Sequence, residues 1–136
     1  MKKPTRTTAI IGAAAILMGI GAGAAQASSF GWSMTGVLTG FNSRTYSSPS
    51  SGSHQIESDS CSWSYPGAGG SYYRLQLTQE TPWYEPDRNA GQYSYPCPGG
   101  YGYHDFGSQP GGSYHFTYVS GDNSYGLNSS GYVFYP

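Results

Sequence analysis

Lysine is absent from residues 28–136 of this 136-residue chain, and arginine occurs there only as Arg44, Arg74 and Arg88. Against these three cations stand seven carboxylates, Glu57, Asp59, Glu80, Glu85, Asp87, Asp105 and Asp122, for a formal charge of −4 with histidine neutral. Nucleic acid and anionic membrane surfaces are normally met by clustered Lys and Arg, so the composition argues against both as partners. Aliphatic side chains are scarce as well. Leu, Ile, Val and Phe together supply 13 of these 109 residues, a fraction at which chains often fail to bury a core. Helix is missing too, because 17 Gly and 8 Pro leave no window with apolar residues at i, i+3, i+4 and i+7 free of a breaker.

What is present compensates. The same stretch holds all 14 Tyr and all 3 Trp. Aromatic rings bury large areas with few rotatable bonds, so a small number of them builds a core while tyrosine hydroxyls serve its polar edge. One domain is expected, since a chain of this length buries a single modest core.

Residues 1–27 read as a secretory leader. Lys2, Lys3 and Arg6 form a basic head, Ala9 to Ala25 is apolar but rich in Gly and Ala, and Ala25-Gln26-Ala27 is a small-residue cleavage site. A membrane span wants roughly 20 strongly apolar residues, so cleavage and export are expected, with no stable membrane insertion afterwards. The domain organisation is then a leader over 1–27 and one β domain over 28–136. Export also places Cys61 and Cys97 in an oxidising setting, where the one possible intramolecular pair is a disulfide. A closure of this length contributes about 4 kcal/mol on the chain-entropy estimate.

Short segments rich in Tyr, Thr, Val and Phe alternate between Gly, Ser and Pro clusters, the pattern of antiparallel strands. Candidates are Ser33 to Phe41, His54 to Tyr65, Ser71 to Gln79, Gln92 to Tyr95, Ser113 to Val119 and Tyr132 to Tyr135. The clearest is Ser71 to Gln79, where Tyr73, Leu75 and Leu77 alternate with Arg74, Gln76 and Thr78. In His54 to Tyr65, the residues Cys61, Trp63 and Tyr65 share a phase that points inward. Ser33 to Phe41 is apolar on both sides, so its inward face stays open. Loops or turns are expected over Ser47 to Gly52, Thr81 to Asn89, Pro98 to Gly112, Gly121 to Ser124 and Asn128 to Gly131. The fold class is all-β, a small antiparallel sandwich or barrel of five to seven short strands with Gly-rich loops and one disulfide.

Chemistry-bearing residues are few. His104 beside Asp105 is the one His with a neighbouring carboxylate, yet adjacent residues of an extended segment point opposite ways. Glu57 with Asp59, and Glu80, Glu85 and Asp87 near Trp83, are the carboxylate groupings an acid/base pair would need, and solvated acidic surface accounts for them equally well. Glu85 with Asp87, or Asp122 with Asn123, offers oxygen ligands to Ca²⁺, although turn formation explains the latter pair as well. No catalytic, metal or cofactor site is therefore predicted.

The strongest functional signal is an excess of aromatics in loops: Trp83, Tyr84, Tyr101, Tyr103 and Phe106. Exposed rings beside polar groups stack on sugars or anchor a protein partner, and loops on a rigid β scaffold commonly carry binding residues. With so few aliphatics, some of these rings are needed to cover the core instead. The expected function is a secreted noncatalytic module that contacts an extracellular protein or a cell-surface glycan. The alternatives are an assembly component that joins its partner through an edge strand, and an enzyme inhibitor.

Overall fold

The computed structural model describes residues 28–65, 70–121 and 125–136. The proposed leader, and the Asp122 and Asn123 considered for calcium, lie outside the described residues. Eight strands form: β1 (Ser28–Val37), β2 (Tyr46–Ser48), β3 (Gly52–Trp63), β4 (Tyr72–Glu80), β5 (Arg88–Pro96), β6 (Gly102–Gln109), β7 (Gly112–Ser120) and β8 (Leu127–Tyr135). They make two four-stranded antiparallel sheets, in the orders β1-β8-β3-β6 and β2-β7-β4-β5, packed face to face. Six of the seven connections cross from one sheet to the other, and only β4 and β5 form a hairpin within a sheet.

The count of eight exceeds the expected five to seven, because two segments rich in Gly or Ser pair as strands beyond the six candidates and a third lengthens one of those six. Tyr46–Ser48 pairs with β7, Gly102–Gln109 lies within the expected Pro98 to Gly112 loop, and Asn128 to Gly131 belongs to β8. Glycine at these places serves close approach. A Cβ on Gly131 would run into the Glu57 carbonyl oxygen, and one on Gly102 would lie 2.6 Å from the Tyr95 ring. What reads as a turn signal in one dimension is a strand position where two backbones or a ring must come near.

Two bulges reset the inward phase. In β1, Met34 faces Ser129 and Val37 faces Leu127, leaving Thr35 and Gly36 opposite Asn128. Gly36 adopts φ 64° and donates its N–H to Asn128 Oδ1 at 2.8 Å. Met34 and Val37 are thereby both buried, which explains a segment apolar on both sides, while Leu38 and Phe41 emerge into solvent. In β3 the extra residue is Asp59: Ser58 faces Gly131 and Ser60 faces Ser130. His54, Ile56 and Ser58 point inward before it, Cys61 and Trp63 after it; Tyr65 is exposed and stacks on Tyr125.

Tyr73, Tyr95, Tyr114 and Tyr118 are among the largest fully buried side chains, around Ile56, Leu75, Leu77, Leu127, Phe116 and Val133. Tyrosine hydroxyls tie the two sheets together. Tyr73 Oη bonds Ser58 Oγ at 2.7 Å and Ser129 Oγ at 2.8 Å, Tyr95 Oη donates to the Ile56 carbonyl at 2.9 Å, and Tyr46 Oη bonds His54 Nδ1 at 2.8 Å. Each bond satisfies a buried polar group that would otherwise cost about 1–3 kcal/mol. The Cys61–Cys97 disulfide, with a Cα separation of 5.2 Å, joins β3 to the residue that follows β5 and so clips one sheet to the other.

Candidate binding surfaces

Trp83 and Tyr84 sit at the tip of the β4–β5 hairpin, 94 % and 66 % exposed, with their rings edge to face at 5.7 Å. The tip is held by its own polar groups. Thr81 Oγ1 donates to the carbonyls of Glu85 (2.9 Å) and Pro86 (3.0 Å), Thr81 N donates to Asp87 Oδ1 at 3.0 Å, and Glu85 N donates to the Pro82 carbonyl at 2.9 Å. Pro82 and Pro86 fix φ on either side of the ring pair. The rings are therefore presented by an ordered turn rather than by a loose loop.

The other three predicted aromatics lie apart from this tip. Tyr101 and Tyr103 are exposed on the outer face of the β1-β8-β3-β6 sheet, along its β6 edge. Phe106 turns inward at 9 % exposure, where its ring lies in edge contact with His104 and within reach of a Cβ built on Gly91. It belongs to the core cluster, where a chain poor in aliphatics uses such rings to cover its interior.

Cross-strand register creates a surface that the linear sequence hides. Glu57 on β3 faces Tyr132 on β8 to one side and Tyr103 on β6 to the other, and the next outward row places Gln55 between Phe134 and Asp105. Tyr132 and Phe134 stack at 6.2 Å. Tyr101 is pushed up to about 12, first by its hydrogen bond to Glu57, then by desolvation and the negative charge of Glu57 and Asp59. Tyr103 is raised by partial burial and by the charges of Asp105 and Glu57. Toward the other end of this face, Ser33, Thr35, Ser60, Ser62, Asn128 and Ser130 line a shallow depression of about 280 Å³. Tyr132 was missed as a site residue because only pairing with β3 brings it beside Glu57.

His104 stacks on Tyr93 at 4.1 Å, whereas Asp105 on the opposite side of β6 accepts from Ser53 Oγ at 2.5 Å and from Gly107 N at 2.8 Å. Burial lowers the His104 pKa, and these hydrogen bonds hold Asp105 below its usual range despite the opposing effect of desolvation. Glu80 accepts from Thr45 Oγ1 and contacts His115 Nδ1 at 2.9 Å, and both bonds lower its pKa. Asp87 is occupied with Thr81 in the hairpin tip. Among the described residues, no three His, Cys, Asp or Glu side chains gather as a metal site would require, and no helix is long and apolar enough to cross a membrane.

Comparison with protein-family models, with curated proteins and with solved structures gives no match. The described residues form an all-β domain with exposed aromatic clusters of the kind found at protein interaction surfaces.

Proposed function

We propose that the domain is a secreted, noncatalytic interaction module that docks on an extracellular protein through the β4–β5 hairpin tip. The observation that carries this reading is a tryptophan left almost wholly in water on a turn pinned by four hydrogen bonds. Burying such a side chain is worth roughly 2–3 kcal/mol, and an ordered turn spends little further entropy on docking. Trp and Tyr are also the residues most enriched at the energetic centres of interfaces. The basic head and Ala25-Gln26-Ala27 ending of residues 1–27, together with a disulfide that persists in oxidising surroundings, support export.

The test uses the oxidised domain as bait against culture supernatant and cell-wall extract, with Trp83→Ala in parallel. The variant should melt within about 0.5 kcal/mol of the wild type, as an exposed substitution does, and should lose the protein that the wild type retains. Equal retention by both, or a large loss of stability in the variant, would remove the tip from the contact. A glycan array read with the same two proteins separates a sugar partner from a protein one.

A second reading, assembly of copies into a larger sheet, is favoured by one feature. Strand β1 is an edge whose run Ser28 to Met34 contains no charged residue and no proline, the devices that usually blunt an edge. Sedimentation of the oxidised domain across a concentration series tests it, and a monomer throughout would dismiss it.

A further inference from the structure

The outer face of the β1-β8-β3-β6 sheet combines rings and negative charge, with no basic side chain among the described residues paired to its carboxylates. Glu57 lies directly between Tyr132 and Tyr103 in the strand register, positions whose Cβ atoms are about 5 Å apart. Tyr101, which immediately precedes β6, lies near enough to Glu57 and Asp59 for both to raise its pKa. Tyr101, Tyr103 and Tyr132 are all exposed. Every arginine among the described residues is engaged elsewhere. The Arg44 guanidinium lies 4.1 Å over the Phe30 ring, Arg74 bonds Ser94 on the other sheet, and Arg88 bonds Gln79 and Gln109. Among the described residues no basic side chain pairs with Glu57, Asp59 or Asp105.

An anion fenced by tyrosine rings is complementary to a cation. A ring face attracts an ammonium or guanidinium within about 6 Å of its centroid, and the carboxylate adds charge and a hydrogen-bond acceptor. A polyanion is repelled by the same three carboxylates. A neutral sugar gains nothing from the excess charge.

We infer that this face receives a basic side chain of the partner protein, seated on Glu57 between the rings of Tyr103 and Tyr132. The inference rests on the reading of the domain as a protein-binding module, and it supplies a second contact separate from the hairpin tip. It also sets the partner's character: the docking segment carries Lys or Arg, matching a domain whose described residues contain no Lys.

The test is an NMR titration of the isotope-labelled, oxidised domain at low salt. The probes are a blocked Gly-Gly-Lys-Gly-Gly peptide, the same peptide with Gln in place of Lys, and a neutral glucose hexasaccharide. The Lys peptide should move the Tyr101, Tyr103 and Tyr132 resonances, with the Gln peptide about tenfold weaker. Glu57→Gln should weaken the Lys peptide about fivefold and Tyr132→Ser about threefold, with the remaining spectrum superposable on the wild type. Salt at 0.5 M should suppress the response. Equal response to the Lys and Gln peptides, an unchanged affinity in Glu57→Gln, or movement by the hexasaccharide alone would each overturn the inference. Trp83→Ala should leave the titration unchanged, so failure of the hairpin-tip reading and failure of this one are distinguishable.

Discussion

Lowering the pH from 7 to 5 should destabilise the domain, chiefly through the buried His54. His54 is fully buried among the rings of Tyr46, Tyr114 and Tyr135, with centroids at 5.8, 4.4 and 6.4 Å. Desolvation lowers its pKa from 6.5 to about 4, and only the Asp105 charge opposes the shift. The unfolded chain takes up a proton near pH 6.5 and the folded one only near pH 4, so between these values the unfolded state binds more protons and stability falls as pH falls. At about 1.4 kcal/mol per pH unit, the loss amounts to about 2 kcal/mol by pH 5 and about 3 kcal/mol by pH 4. For a domain near 100 residues the first figure corresponds to a melting temperature lower by roughly 8 °C. The depressed carboxylates Glu80 and Asp105 have ordinary values of 4.5 and 3.8, so most of their stabilisation is lost only below the His54 window. His104, lowered by burial, adds a contribution of the same sign. The assay is thermal unfolding by circular dichroism from pH 7.5 to 4, on the wild type and His54→Gln. The wild type should slope downward below pH 6.5, and the variant, whatever its absolute stability, should be much flatter. A wild type flat between pH 7 and 5, or equal slopes in the two proteins, would refute the reasoning.

Cys61→Ser should lower stability by about 4 kcal/mol, because it releases a closure of 36 residues that joins the two sheets; equal denaturation midpoints for the variant and the oxidised wild type would show that the bridge contributes nothing. Gly131→Ala should cost about 3 kcal/mol or more, since the added methyl meets the Glu57 carbonyl across the strand pair, whereas Gly40→Ala, with open space around the site but φ at 97°, should cost about 1 kcal/mol from backbone strain alone. Urea melts of the two variants check the order, and a reversal would mean that the β3–β8 pair opens to admit the methyl.

The parts of the fold that follow local rules were legible in the sequence. Strand β4 announces itself by strict alternation of Tyr73, Leu75 and Leu77, and two cysteines admit one pairing. Bulges obscured the rest. At Gly36 and at Asp59 an inserted residue shifts the inward phase by one, so a period-two reading across either point assigns half of the strand to the wrong side. Gly131 looks like turn punctuation because the carbonyl that excludes a side chain there comes from Glu57, 74 positions away in the chain. The site was legible to the same degree. Pro82-Trp83-Tyr84 at a hairpin turn is a local signal, while the Tyr103, Glu57 and Tyr132 row is a product of register and has no local signature.

The position of β8 governs when the molecule can exist. It lies between β1 and β3, so both of those strands depend for their backbone pairing on the segment Leu127–Tyr135. A chain that has been delivered through β7 holds all four strands of one layer, while in the other only β3 and β6 can pair and β1 has no neighbour. The β1-β8-β3-β6 layer is therefore completed only when Leu127–Tyr135 pairs, so a chain that lacks this segment holds β1 unpaired and cannot close over the other sheet.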